Sequence, residues 1–287
     1  MLRTVYISFP GLGIGEFKVN NVAFTVFGHP VAWYGIIIAF GMVMAALYVL
    51  YRAKQEGVIA DDILELATYV VFFGVLGARA YFVLTSLDKF DTFWDIFKIW
   101  NGGLAIYGGI IAGVLTIFIY CRLKKQNFYV FIDMIGPAAM LGQMIGRWGN
   151  FVNGEAHGGI TDIFCRMGLR FSEYAKVTYV HPTFIYEALW NAIGFVLINI
   201  FYKKKRYNGQ VALWYLSWYG FGRMFIEQLR TDSLYLFGSL YEVWFLKISS
   251  LVGLGCFLTF GGILLHHAIK KVKKPTAFDN NIEEKTV

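Results

Sequence analysis

An all-α polytopic membrane protein, with about seven transmembrane helices and an extracytoplasmic head region, is the architecture this sequence predicts, and three observations carry it. Apolar residues fill 57% of the 287 positions and charged residues only 16%, with a mean hydropathy of +0.53, a balance that suits lipid and not water. Apolar runs of about 20 residues, the length a bilayer crossing requires, recur along the whole chain. Lys and Arg gather at the ends of these runs instead of forming a stripe. The net charge of +7 therefore reads as membrane topology, and no nucleic acid is expected as a partner.

Residues 1–32 mix Gly, Pro, Asn and charge with isolated apolar residues, which reads as an outer N-terminal arm and not as a cleaved signal peptide. Spans are expected at 33–51, 66–85, 103–121, 128–146, 183–202, 211–229 and 243–265. Arg52 and Lys54, then Arg122, Lys124 and Lys125, then Lys203 to Arg206, and last Lys270, Lys271, Lys273 and Lys274 fall on one side of these spans. The positive-inside rule makes that side cytoplasmic, so the N-terminus is outside and the C-terminus inside. Residues 147–182 are too polar and Gly-rich to span and form the outer head region, while 275–287 read as a disordered cytoplasmic tail. Nothing is left over for a soluble domain, so 1–287 is expected to be a single integral membrane domain. The lack of an internal repeat gives no support to a transporter built on inverted repeats.

The three cysteines, Cys121, Cys165 and Cys256, form no CxxC pair and stand near no His pair at zinc-ligand spacing. Neither a metal site nor a cofactor is expected. Charge inside a bilayer costs several kcal/mol by insertion scales, so Arg79, Asp133, Arg223, Glu227 and Lys247 each need an account. Lys247 lies near the outer end of its span, where snorkelling is cheap, and Arg79 and Asp133 suit a structural pair between two spans. Tyr219, Arg223 and Glu227 recur at i, i+4 and i+8 on one helix face, and Arg230 and Asp232 extend that polar track towards the outer surface. An anionic headgroup could follow it, although an internal Arg–Glu bridge would look the same in sequence.

The densest polar cluster is GRWGNFVNGEAHGG at 146–159, which sets Arg147, Asn150, Asn153, Glu155 and His157 among glycines. Glycines admit backbone N–H groups close to a ligand, and Arg presents a planar fork matched to phosphate oxygens. The cluster reads as a phosphate cradle, or else as a Gly-rich outer turn with an interfacial Arg. GGLAIYGGIIAG at 102–113 places Tyr107 beside Gly108 and Gly109, where Gly109 and Gly113 also suit plain helix packing. In HPTFIYE at 181–187, Pro182 favours a helix start and His181 stands just outside it.

Taken in order, HPVAWYG at 29–35, GGLAIYGG at 102–109, the cluster at 146–159, HPTFIYE at 181–187 and YGFGRMFIEQLRTD at 219–232 resemble the bacterial prolipoprotein diacylglyceryl transferase family. The resemblance implies an enzyme that transfers the sn-1,2-diacylglyceryl group of phosphatidylglycerol to the lipobox cysteine of a prolipoprotein signal peptide, releasing glycerol phosphate. It also implies the bacterial cytoplasmic membrane, with the active site towards its outer face. By position, the catalytic set is Arg147, Arg223, Tyr107 and Glu155, and the substrate-binding set Tyr34, Asn150, Asn153, Gly158, His181, Tyr219 and Glu227. The chain departs from many relatives in carrying Tyr107 where they have His, and a tyrosine with pKa near 10 is an inefficient base at neutral pH. Two other classes would also use buried charge: an anion transporter, which predicts no product, and a metal-dependent headgroup enzyme, which needs a carboxylate cluster that the spans lack.

Overall fold

The computed structural model describes residues 4–87, 90, 92–99, 102–231, 247–274 and 276. Asp232 and, Thr276 apart, the expected tail at 275–287 lie outside these residues. Among the described residues seven long helices dominate: α1 (Trp33–Glu56), α2 (Ala60–Thr85), α3 (Ile106–Leu123), α4 (Phe128–Asn153), α5 (Thr183–Phe201), α6 (Gln210–Leu229) and α7 (Ile248–Ile269). Six of them are long and apolar enough to cross a membrane, which makes this a multi-pass membrane protein. The helix outside that group is α6, which carries the Tyr219, Arg223 and Glu227 face. By its contacts the chain divides into two compact units, Met1–Tyr48 with Ile135–Val287, and Val49–Met134.

In the first unit a small sheet accompanies the helices. The strands are β1 (Thr4–Phe9), β2 (Ile14–Asn20), β3 (Val22–Val26), β4 (His29–Ala32), β5 (Met167–Arg170) and β6 (Thr178–Val180). Four of them form an antiparallel sheet in the order β2-β1-β5-β6, with Tyr6 opposite Arg170 and Ile7 opposite Leu169, while β3 and β4 pair as a hairpin. The N-terminal arm is thus strand, for a reason visible in TVYISF. Its side chains alternate, and Val5, Ile7 and Phe9 are buried while Thr4, Tyr6 and Ser8 are half-buried. The buried row packs on Met167, Leu169, Val180 and Phe184, with Phe151 and Ile185 against its edge. Arg170 donates to Glu16 across the sheet, Nε to Oε2 at 2.8 Å, and holds that carboxyl below the usual carboxylate range.

This apolar cluster fixes the ends of two helices. Phe151 belongs to the last turn of α4 and Phe184 to the first turn of α5, and their rings lie 4.7 Å apart, with Trp148 5.6 Å from Phe184. α4 also runs on to Asn153, past the expected end of its span at 146, so RWGNFVN is helix and not turn.

α5 and α6 are joined by a reciprocal device. Trp190 and Trp218 stack with centroids 4.2 Å apart, and each indole N–H donates to the other's backbone carbonyl, at 3.1 and 3.0 Å. Each ring lies on a glycine of the opposite helix: a Cβ at Gly194 would stand 2.3 Å from Trp218 Nε1, and one at Gly222 would stand 2.1 Å from Trp190 Nε1. α6 and α7 meet through Gly220 and Gly253, where an added Cβ would lie 2.5 and 2.8 Å from the opposing carbonyl oxygen. Lys247 does not snorkel as expected. It is buried, and its Nζ donates to the carbonyls of Glu227, Gln228 and Arg230 at 3.0, 3.2 and 2.6 Å. A cation there satisfies the last carbonyls of α6, which have no partner within the helix.

In the second unit α2 packs on α3. The close approach falls at Gly108 against Gly77, where a Cβ on Gly108 would sit 2.2 Å from Gly77 O, one residue before the expected face at Gly109 and Gly113. Arg79 does not pair with Asp133 as the sequence suggested. Its guanidinium donates to the backbone carbonyls of Ile96, Asp95, Gly102 and Gly103 at 2.7–2.9 Å and to Lys98 O at 3.4 Å. Buried backbone acceptors in a loop have no ladder to join, and one Arg supplies all its donors to them.

The Trp–Gly contacts predict that Gly194→Ala lowers stability by about 1–3 kcal/mol through overpacking, despite the gain of roughly 1 kcal/mol in helix propensity. Gly262→Ala on α7, where an added Cβ meets nothing within 4 Å, should be neutral or stabilising. Thermal unfolding of the purified protein in detergent measures both, and equal midpoints for the two variants would refute the packing role.

Candidate active site

Three helix segments bring charge together one turn from the head sheet. α4 offers Arg147, α5 offers Glu187, and α6 with the residue after it offers Arg223, Glu227 and Arg230. The centre is Glu187, whose side chain is only 5% exposed. Its Oε2 meets Arg147 Nη2 at 2.5 Å and Arg223 Nη1 at 3.1 Å, and its Oε1 meets Arg230 Nη1 at 3.3 Å. Arg223 also closes an ion pair with Glu227, the i, i+4 bridge the sequence allowed. Among the described residues, three guanidinium groups and two carboxylates make up these pairs. Carboxylates so buried persist only when paired and hydrogen-bonded.

Glu187 was not singled out by the sequence reading, although it lies within the expected span 183–202 and meets the criterion that marked the other buried charges. Arg230, expected towards the outer surface, is part of the buried cluster.

The remaining candidates separate into groups. Asn150 and Asn153, on successive turns of α4, both donate to Glu155 Oε1, at 3.2 and 3.1 Å, and Glu155 is exposed. The chain turns sharply here: Gly154 has φ +61° and Ala156 φ +54°. Gly154 also passes under β1, where a Cβ would lie 2.8 Å from Val5 Cγ1, so both its conformation and its space demand glycine. Gly158 and His181 are joined through their backbones. Gly158 N–H donates to His181 O at 2.9 Å, His181 N–H to Gly159 O at 3.0 Å, and Gly159 N–H to Leu229 O at 2.9 Å. A Cβ at Gly158 would stand 2.6 Å from His181 Cβ and 2.7 Å from Leu229 O, so glycine here lets the head loop thread between the start of α5 and the end of α6. The His181 ring faces Tyr186, Nδ1 to Oη at 3.4 Å, and burial lowers its pKa, which keeps the imidazole neutral at pH 7.

Tyr34, at the start of α1, covers Gly149, where a Cβ would lie 2.8 Å from Tyr34 Cδ2. Tyr219 lines a small cavity with Glu187, Trp190, Asn191 and Arg223. Tyr107 belongs to the second unit, near the N-terminus of α3 and partly exposed, with its ring 6.5 Å from that of Tyr81. Among the described residues no group of three or more His, Cys, Asp or Glu side chains could hold a metal ion.

A buried cluster of three arginines at the edge of an apolar bundle is suited to one anionic phosphodiester, with planar donors arranged around its oxygens. Comparison with known proteins agrees with that chemistry. The chain matches the prolipoprotein diacylglyceryl transferase family over residues 21–266. The phosphatidylglycerol–prolipoprotein diacylglyceryl transferase 1 of Clostridium perfringens (strain 13 / Type A) is 42% identical over 269 residues, covering 91% of this chain and 100% of the relative. The corresponding transferase of Clostridioides difficile (strain 630) is 40% identical, over 93% of this chain and 100% of the relative. That of Streptococcus pneumoniae (strain Hungary19A-6) is 41% identical, over 79% and 88%. With Arg147, Glu187 and Arg223 all inside the matched region, which takes in α1 to α6 and most of α7, the chain belongs to the prolipoprotein diacylglyceryl transferase family.

Proposed function

We propose that this membrane transferase, whose reaction moves the sn-1,2-diacylglyceryl group from phosphatidylglycerol to a prolipoprotein, holds the lipid phosphate on Arg147, Arg223 and Arg230 and receives a lipobox cysteine as nucleophile. The convergence of those arginines on Glu187 carries the proposal. In the reaction, the substrate thiolate attacks C3 of the diacylglyceryl glycerol. A C–S bond forms, the C–O bond to phosphorus breaks, and glycerol phosphate leaves with the electron pair, while the thiol proton passes to a base or to water. The phosphate goes from one negative charge to about two, so fixed cations stabilise the transition state more than the bound lipid. Glu187 prepositions those cations before the lipid arrives. Because the nucleophile belongs to the substrate, the enzyme needs no reactive cysteine of its own.

The other candidates take supporting roles. Glu155 fixes the amides of Asn150 and Asn153, whose remaining polar atoms can face the headgroup or the peptide. Tyr219 and Glu227 flank Arg223, Tyr34 shields α4 beside Arg147, and Gly158 with His181 closes the loop over the ends of α5 and α6. A cavity of about 630 Å³, lined by Trp190, Gly194, Phe201, Trp214, Phe221 and Phe257 among others, shares Trp190 with the small cavity of the arginine cluster. Its apolar walls suit an acyl chain. Tyr107 is assigned to positioning by hydrogen bond. The orientation follows from the basic loops: the head and arginine cluster lie on the outer side of the bacterial cytoplasmic membrane and the C-terminus inside.

Arg147→Ala and Arg223→Ala should each reduce diacylglyceryl transfer to a lipobox peptide by about 10²- to 10³-fold, measured by mass spectrometry of the peptide with purified enzyme and phosphatidylglycerol. Near-normal transfer in either variant removes that arginine from the site. Tyr107→Phe should slow turnover by roughly 10- to 100-fold with no change in the shape of the pH–rate profile, whereas an altered profile would make the residue a base. For orientation, Lys273→Cys in a background without the three native cysteines should resist an impermeant thiol reagent in intact cells and react after permeabilisation. Labelling of intact cells would invert the topology.

A further inference from the structure

One helical turn from the arginine cluster, on the side away from the head sheet, lies a layer of uncharged polar side chains that the phosphate chemistry leaves unused. Asn191 follows Glu187 at i+4 on α5, Gln143 precedes Arg147 at i−4 on α4, and Tyr219 precedes Arg223 at i−4 on α6. Asn191 is 4% exposed, lines the small cavity with Glu187, Tyr219 and Arg223, and has a carbonyl oxygen with no hydrogen-bond partner among the described residues. Gln143 repeats the pattern: its Nε2 meets Tyr215 Oη at 3.0 Å while its buried Oε1 has no partner. Buried amide oxygens are rarely left unpaired, and each such group calls for a reason. Here two of them stand on adjoining helices, one turn below a cation cluster.

We propose that this neutral layer, with Asn191 at its centre, reads the hydroxyl groups of the phosphatidylglycerol headgroup and so sets the enzyme's choice of lipid donor. The inference rests on the placement of the lipid phosphate among the three arginines. The acyl esters and phosphate oxygens of the lipid accept hydrogen bonds and cannot donate them, so they cannot satisfy an amide oxygen. Its only donors are the two hydroxyls of the headgroup glycerol. A hydroxyl also accepts, and thus fits the Asn or Gln amide in either orientation. An ammonium headgroup would meet the guanidinium groups of Arg147, Arg223 and Arg230, and an alkyl headgroup would leave the amides unpaired. A site built to hydrogen-bond a hydroxyl rejects the analogue lacking it far more strongly than an apolar pocket rejects a missing methylene.

The test compares two donors with identical acyl chains and phosphodiester, phosphatidylglycerol and phosphatidylpropanol, the second having no headgroup hydroxyl. Transfer to a lipobox peptide is measured for both with one preparation of the full-length enzyme, so the ratio of kcat/KM values is independent of how much of it is folded. The native enzyme should favour phosphatidylglycerol by roughly 10- to 100-fold. Asn191→Leu should lower that ratio by about tenfold, because the variant loses a contact that only phosphatidylglycerol makes. Asn191→Ser and Gln143→Leu read the same ratio if Asn191→Leu does not fold. A native enzyme without preference, or variants that slow both donors alike and keep the ratio, would overturn the assignment. If Arg147→Ala retains normal transfer while the Asn191 variants shift the ratio, the phosphate placement fails and the hydroxyl reading survives. Loss of transfer in Arg147→Ala with an unshifted ratio in the Asn191 variants gives the converse.

Discussion

Everything distinctive about the first unit depends on holding Glu187 and three guanidinium groups together away from water. An ionised carboxylate transferred into a medium of low dielectric costs several kcal/mol even after relaxation, and close, hydrogen-bonded countercharges are what offset it. Glu187 meets that condition through Arg147, Arg223 and Arg230, and each arginine in turn depends on the carboxylates for the same reason. The cluster therefore constrains α4, α5 and α6 mutually, and the surrounding structure can be understood as the means by which those helix ends are kept in register.

Several devices share that task, and they differ because their surroundings differ. At the small sheet, burial of Val5, Ile7, Phe9 and Phe184 draws the ends of α4 and α5 together through the Phe151–Phe184 contact, an ordinary use of the hydrophobic effect. Among the helices, lipid tails are as apolar as leucine, so burial offers little drive and close packing must supply it. The glycines facing Trp190 and Trp218 and the Gly220–Gly253 contact provide that packing. Backbone groups that no helix or sheet satisfies are met by long cationic side chains, Lys247 at the end of α6 and Arg79 in the loop before α3. These two residues look alike in sequence to the arginines of the cluster, yet their donors are occupied by carbonyls.

The proposed headgroup site has a layered chemistry. A layer of three guanidinium groups suits the phosphodiester and gains strength as the leaving group becomes a dianion, while a neutral layer one turn away suits hydroxyls. Such a division gives rate from the first layer and donor selectivity from the second, because only charge develops in the transition state whereas the hydroxyls are the same before and after transfer. It also accounts for an enzyme whose three cysteines are free thiols with no place in the cluster: the reacting sulfur arrives on the substrate.

The sequence alone determined the membrane class, the positions of the helices and the residues of the main polar motifs, because hydropathy and the placement of Lys and Arg are local properties of the chain. It also placed Arg223 and Glu227 on one helix face at i, i+4, which allowed the bridge they form without requiring it. The strand character of TVYISF, with its strict alternation of buried and half-buried side chains, was present in the sequence but submerged in an arm rich in Gly and charge. Only the tertiary structure decided which buried charges belong together. Arg79 turned to loop carbonyls, Lys247 to the end of α6, and Glu187 became the common partner of three arginines from two other segments of the chain. The physical reason is that periodicity specifies which face of a helix a residue occupies, whereas the partner across the interface is set by how that face packs against segments far away in sequence.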